Sequence, residues 1–320
     1  MLSPMEQKIR LGISSCLLGE KVRYDGGHKL DHFLTDTLGG FVAYVPVCPE
    51  FEAGFGVPRE AMRLIGDPAA PKLVTQKTGI DHTDRMNRWI KTKLTHLEKQ
   101  DIHGFIFKSG SPSSGMERVK VYDDRGVSRK TGAGLFAKAF MERFPLVPVE
   151  DEGRLHDIDL RENFIVRIFA YSRWKKQRAD DPRPAAIIGF HGRHKYLLMA
   201  HNQAIQKETG KLVAGIKSMD RGEFLKRYEI LFMNALRHRA TVKKNTNVLT
   251  HMAGYFKERL DADEKKELLE VIDRYRREII PLIVPVTLVR HYVRKYDEKY
   301  LADQYYLDPH PMELKLRNHA

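Results

Sequence analysis

Through residues 9–149, short apolar runs of strand length alternate with stretches of helical period; beyond about residue 185 helical period stands alone. That change of periodicity constrains the fold most, because strands alternating with helices build parallel sheets covered on both faces. Ile9–Ser14, Phe41–Val47 and Gly104–Lys108 read as strands, with Val119–Tyr122 and Leu146–Val149 as two more. Helices are expected at Lys29–Leu38, Thr83–Gln100 and Ala133–Phe144. The fold class is therefore an α/β Rossmann-like parallel-sheet domain followed by an all-α domain. In the second half, Phe190–Lys207, Arg221–Lys243, Thr246–Leu260, Ala262–Ile280 and Leu282–Tyr300 each suit a helix. Pro281 and Pro285 should break or kink the chain. The charged, proline-bearing stretch Arg173–Pro184 sets the boundary within 165–185, giving domains 1–165 and 175–320.

Ligands of open parallel sheets bind beyond the carboxyl ends of the strands. The reactive residues of the first half gather at three such ends. Strand one leads into Ser15-Cys16-Leu17-Leu18-Gly19 and then Arg23-Tyr24-Asp25-Gly26-Gly27-His28; strand two leads into Cys48-Pro49-Glu50; strand three leads into Lys108–Gly115, KSGSPSSG. Both cysteines of the chain lie here. They are either two small buried hydrophobes or thiolates for a soft metal or part of an iron–sulfur cluster. No C-x-x-C spacing supports a redox pair. Glu50 is either a general acid or base or a helix-start carboxylate. The serines 109, 111, 113 and 114 offer polar groups for chemistry or for capping a turn.

Charge separates the halves. Residues 1–155 hold 23 basic and 20 acidic side chains, residues 156–320 hold 32 and 22, so +10 of the chain's +13 falls in the second half. Such a basic module is expected to meet a polyanion, and RNA is preferred to a membrane surface. Arg193 and Lys195 lie near Phe190 and Tyr196; Lys175 and Lys176 precede them; Arg237, Lys243 and Lys244 form a further cluster, with Arg274, Arg276 and Arg277 beyond. Basic clusters interleaved with aromatics suit phosphate tracking and base stacking. His191, His194 and His201 can share one helix face, where RNA contact or packing is preferred to zinc. No apolar run reaches the roughly 20 residues of a membrane span, and the first 15 residues hold no secretory signal pattern. With two cysteines in 320 residues, a cytoplasmic setting is expected.

The motifs SSCLLG, VRYDGGHK, VCPE and KSGSPSSGMERVKVY together resemble the thiouracil desulfidase family. FHGRHKYLLMAHNQ, NVLTHMAGYFK, IPLIVPVTLVRHY and YLADQYYLDPHPMELKLR are similar to the helical domain fused to it in longer members, the tRNA 4-thiouridine desulfidases. The resemblance covers nearly the whole chain. It implies hydrolytic desulfuration of 4-thiouridine in tRNA on a [4Fe–4S] cluster held by three cysteines, with one iron open to the sulfur. Cys16 and Cys48 match two ligands. At the third position, S-P-S-C-G in the family, this chain has Ser114. Ser114 is then a ligand in its own right, a substituted cysteine, or the mark of a lost cluster, leaving a tRNA-binding protein without desulfidase activity. A desulfidase of free thiolated pyrimidines is the third reading. The resemblance further implies that Glu50 is the acid/base carboxylate, that Ser111 (with Ser109 next) is a second essential polar group, and that Asp25 orients base or water.

Overall fold

The computed structural model describes residues 8–318. The chain divides into two compact units, 1–157 and 158–320. The division lies before the expected boundary at 165–185, because the charged stretch continues as helix to Asp180. Domain limits of 1–165 and 175–320 would cut that helix, whose buried Phe164, Ile165, Val166 and Ile168 belong with the second unit.

The first unit runs β1 (Ile9–Ser14), β2 (Val42–Val47), β3 (Met62–Ile65), β4 (Lys72–Thr75), α1 (Thr83–Lys99), β5 (Gly104–Phe107), β6 (Val119–Tyr122), β7 (Ser128–Gly132), α2 (Leu135–Arg143) and β8 (Val149–Asp151). One sheet has the order β2-β1-β5-β8 and is parallel throughout. Its central strands read as continuous apolar runs because both faces are covered. Ile9, Leu11, Ile13, Phe105, Ile106 and Phe107 are all buried. Phe136 and Phe140 of α2 pack on Phe105 with ring centroids 5.6 and 4.9 Å away. Trp89 of α1 meets Phe136 at 5.5 Å. Gly12 makes this layer possible: a Cβ there would fall 2.2 Å from the Phe105 ring.

A second sheet, β4-β3-β6-β7, pairs β3 with β6 in parallel and adds an antiparallel strand at each side. The expected strand Val119–Tyr122 exists, but in this sheet and not the parallel one. Leu146–Val149 is displaced to Val149–Asp151, since Pro148 has no N–H to donate and serves only as the acceptor for the Phe105 N–H, at 2.9 Å. Lys29–Leu38 is not an α-helix. Residues 33–37 make one wide π turn and 38–40 a 3-10 turn ending in two glycines.

The second unit is helical: α3 (Ile158–Asp180), α4 (Pro184–His201), α5 (Gln203–Ala214), α6 (Arg221–Arg237), α7 (Val242–Ala253), α8 (Ala262–Arg276), α9 (Ile283–Lys295) and the short α10 (Lys299–Ala302). Side chains cap four of the starts: Asn202, Asp220, Thr241 and Asp261, the last in a reciprocal capping box with Glu264. Pro184 begins α4, where its missing N–H costs nothing. Pro285 likewise falls in the first turn of α9 and does not break it; the break is at Pro281. α4 is buried on most of its circumference, and Trp174, Phe190, Tyr228 and Phe232 stack around it, Trp174 4.7 Å from Tyr228 and 5.4 Å from Phe190. Among the described residues no helix is long and apolar enough to cross a membrane.

Candidate active site

Strand order places the site. From β1 the chain moves to β2 on one side of the sheet and later returns to β5 on the other. The loops leaving β1 and β5 therefore part at their carboxyl ends and leave a crevice. Ser14 pairs with Val47 at the last register position of β1 and β2, so Cys16 and Cys48 follow neighbouring strand ends.

Cys16 lies in a 3-10 turn closed by Gly19, whose φ of 91° is open chiefly to glycine. It is 8% exposed. Burial pushes its thiol up to about 11; the Cys48 sulfur adds to the rise, while Lys108 and Arg23 oppose it. Burial also raises Cys48, which points its sulfur at the Val22 carbonyl, 3.8 Å away. Cations stand beside both thiols and oppose the rise, Lys108 and Arg23 at Cys16 and Arg59 at Cys48.

Glu50 follows Cys48 into the crevice. Its Oε2 accepts from Arg59 Nη2 and Nε at 2.5 and 3.1 Å, and its Oε1 accepts from Ser113 Oγ at 2.8 Å. Both partners of the ion pair are largely buried, with 6% of Arg59 and 13% of Glu50 side-chain surface exposed. Arg59 Nη1 also donates to the Val22 and Gly56 carbonyls, which fixes the fork. Ser111 Oγ lies 3.1 Å from Ser113 Oγ and accepts from the Ser113 and Ser114 N–H groups. With Ser113 donating to Glu50, the hydroxyls run in series from Ser111 through Ser113 to the carboxylate.

Ser109 belongs to a different group. Its N–H and Oγ both donate to Glu152, at 2.7 Å each, and Lys108 Nζ donates to the same carboxylate at 2.5 Å. Burial alone would raise the Glu152 carboxyl, but Lys108 and the Ser109 hydrogen bonds outweigh it and hold it below its ordinary value. Asp25 is exposed and binds Arg23 and the Gly27 N–H within its own turn. It touches neither Glu50 nor a thiol and reaches Cys16 only through Arg23. Ser114 is buried, 3% exposed.

Residue type and spacing did not single out Arg59, Lys108 or Glu152, and named Ser113 only as one of four serines while preferring Ser111 and Ser109. Glu152 had a signal, because Glu150-Asp151-Glu152 is an acidic run at the carboxyl end of the fourth parallel strand. The serine loop is positioned by α2, whose first N–H groups donate to the Pro112 and Ser113 carbonyls, while the Gly134 N–H donates to Gly115. A Cβ on Gly134 would sit 2.4–2.7 Å from the backbone of Ser113 and Ser114. Gly134→Ala is therefore expected to lower stability by about 1–3 kcal/mol, read as a lower urea midpoint. An unchanged midpoint would show that the loop yields freely.

A three-thiolate cluster finds its donors here at two positions. Cys16 and Cys48 fit, with Lys108 and Arg23 suited to a negatively charged group; the third position offers a hydroxyl, a harder donor. Among the described residues no three His, Cys, Asp or Glu side chains group as metal ligands would.

In the helical unit the basic residues differ in their commitments. Lys244 Nζ donates to the His201 and Arg239 carbonyls, which ties helix ends together and leaves it little to offer RNA. Lys176 pairs with Asp180, and Lys175 lies 5.2 Å from the Tyr171 ring. Lys195 lies over the Tyr196 and Tyr300 rings. Arg193 has a buried Nε with no hydrogen-bond partner. Arg237 and Lys243 are exposed. Phe190 and Tyr196, expected beside them as stacking platforms, are each 2% exposed and belong to the core. His191, His194 and His201 are buried too, paired with Tyr228 Oη and the Phe190 and His238 carbonyls.

Residues 11–152 match the family described as 2-thiouracil desulfurase, and residues 195–311 match a family described as a protein of unknown function, DUF1722. The chain is 30% identical over 158 residues to the uncharacterized protein YbgA of Escherichia coli, covering 49% of this chain and 94% of that protein. It is 30% identical over 153 residues to the uncharacterized protein YbbK of Bacillus subtilis, covering 46% and 97%. Among solved structures, a [4Fe-4S]-dependent thiouracil desulfidase, TudS, is 30% identical, with 49% of this chain and all of that one covered and a TM-score of 0.41.

Proposed function

This chain is a two-domain, thiouracil desulfidase-like protein related to the YbgA protein and to the YbbK protein, and from that premise we propose that it removes sulfur from thiolated uracil in tRNA, converting 4-thiouridine to uridine. The observation that carries the reading is the Glu50 carboxylate, clamped by Arg59 and reached by Ser113, at the strand ends that bear both thiols.

The net reaction exchanges a thiocarbonyl for a carbonyl: water adds its oxygen to ring carbon 4, the C–S bond breaks, and the sulfur leaves as hydrogen sulfide. No electrons are gained or lost. As the carboxylate of an ion pair, Glu50 is an acceptor for a proton of the attacking water. Arg59 holds Oε2, leaving Oε1 for the exchange. Glu50 then returns that proton to the ring nitrogen or the departing sulfur, while the Ser113 hydroxyl, with Ser111 behind it, donates to Oε1 and holds the carboxyl in place. Cys16 and Cys48 would hold a [4Fe–4S] cluster, which when bound would supply a soft iron for the sulfur; Ser114 stands at the sequence position of the third thiolate. Lys108 and Arg23 offset negative charge beside Cys16. The helical unit contributes RNA affinity through cations such as Arg237 and Lys243.

The test is anaerobic iron–sulfur reconstitution of this chain and of Ser114→Cys, followed by loss of the 4-thiouridine absorbance of bulk tRNA. Desulfuration by either protein, with thiolated tRNA preferred to the free nucleoside, supports the reading. If both bind tRNA and neither desulfurates, the chain is an RNA-binding relative. Preference for the free nucleoside removes tRNA as substrate.

A further inference from the structure

Beside the strand-end site, and opening onto Ser109 and Pro112 of its serine loop, the first unit holds a cavity of about 530 Å³ walled by the second sheet. The wall is strongly cationic. Lys120 of β6 is paired in register with Lys130 of β7. On the other side of β6, Leu64 is paired with Val121, which brings Arg63 of β3 level with Lys120. The strands alternate, with Leu64, Val119 and Val121 buried and Arg63, Lys120 and Tyr122 on the opposite face. The Arg63 guanidinium lies 5.1 Å from the Tyr122 ring centre. Three cations therefore stand side by side across three strands, about 10 Å from end to end at normal strand spacing.

Like charges directly opposite in a sheet are destabilising, and no described carboxylate forms an ion pair with this row; Asp151, which also lines the cavity, accepts from the Arg154 N–H. Among the described residues, none of Arg63, Lys120 or Lys130 makes an ion pair, and Arg63 Nε is buried without a hydrogen-bond partner. The acidic Glu117 of the same cavity is engaged by Arg154 at 2.9 Å. An uncompensated row of this kind, with an unspent buried N–H and an aromatic ring, matches a phosphate-bearing strand with a base laid on its sugar-phosphate track.

We propose that this face of the second sheet binds the ribose-phosphate backbone of the RNA flanking the target nucleotide, so that the first unit itself holds the substrate strand beside its serine loop. The inference rests on tRNA being the substrate. Lys120 and Lys130 take backbone phosphates, and Arg63 with Tyr122 takes a phosphate and a stacked neighbouring base. Recognition is sequence-tolerant, because every contact is to backbone or a base face.

The test uses the full chain and its Lys120→Glu/Lys130→Glu variant. Both positions are exposed, and circular dichroism checks that the variant is folded. The expected result is tRNA binding about tenfold weaker or worse near physiological salt. The log–log salt dependence should be shallower by about two, one for each lost phosphate contact, with turnover of free 4-thiouridine unchanged. Unchanged tRNA affinity and salt slope in the variant, with the parent chain binding tRNA, overturn this inference alone. Equal loss of uridine monophosphate and tRNA binding also overturns it, since the site then takes a single nucleotide's phosphate and not a strand. A parent chain that turns over free 4-thiouridine but does not bind tRNA overturns the substrate reading beneath it.

Discussion

Glu50→Gln is expected to lose between about 10²- and 10⁴-fold of desulfidase turnover, the usual worth of a positioned acid–base group, while remaining folded. Glutamine keeps the shape and can still accept from Ser113, but it cannot take the proton of water. The change also leaves the Arg59 guanidinium without its anion in a place where only 6% of its side chain meets solvent. Removing one partner of a buried pair costs about 3–5 kcal/mol at the upper end. The Val22 and Gly56 carbonyls continue to hold Arg59 Nη1 and reduce that cost. Stability and chemistry therefore need separate readouts: a urea midpoint for the first, and single-turnover loss of thiocarbonyl absorbance at saturating substrate for the second. Ser113→Ala removes the hydroxyl that reaches Glu50 and is expected to act in the same direction with a smaller loss. Turnover within threefold of the parent in Glu50→Gln would remove Glu50 from the reaction.

The second large effect is acid unfolding of the helical unit. Burial lowers His191, His201 and His310 to about 4 each, with Lys195 adding to the first, Lys244 and Arg317 to the second, and Arg317 to the third. His194 is lowered further still, by burial and by Arg173. An unfolded histidine titrates near 6.5. Between about pH 6.5 and 4 the unfolded chain thus binds protons that the folded one refuses. The stability these neutral rings contribute is present above pH 6.5 and is lost as pH falls toward 4. At 1.36 kcal/mol per pKa unit, each ring accounts for roughly 3 kcal/mol. Three of them approach the roughly 5–15 kcal/mol stability of a typical domain. Cooperative loss of helical circular dichroism is expected above pH 4, together with a change in the emission of Trp174, which packs against Phe190 and Tyr228. His201→Gln should move the midpoint to lower pH. A flat signal from pH 7 to 4 would show that these rings find counter-charges as they protonate.

Local pattern by itself determined much of this protein. Continuous apolar runs at Ile9–Ser14 and Gly104–Phe107, with helical period at Thr83–Lys99, specify a covered parallel sheet, because a strand buried on both faces has no polar alternation to show. The helical second half follows in the same way from 3.6-residue spacing, and the two thiols and Glu50 follow from their place after strand ends. Tertiary structure alone decided the rest. The second sheet includes β7, SRKTG, with no apolar alternation and three central residues exposed; it is held as the second arm of a hairpin with β6, and the pairing that builds the sheet, Leu64 of β3 with Val121 of β6, is non-local and invisible to a window. The choice of Ser113 over Ser111 or Ser109 as the hydroxyl on Glu50 depends on how α2 grips the loop, since residues two apart in a turn can face different partners. Phe190, Tyr196 and the three histidines of α4 look like recognition groups in sequence and are core in the structure. A helix buried around its circumference removes the exposed face on which that reading relied.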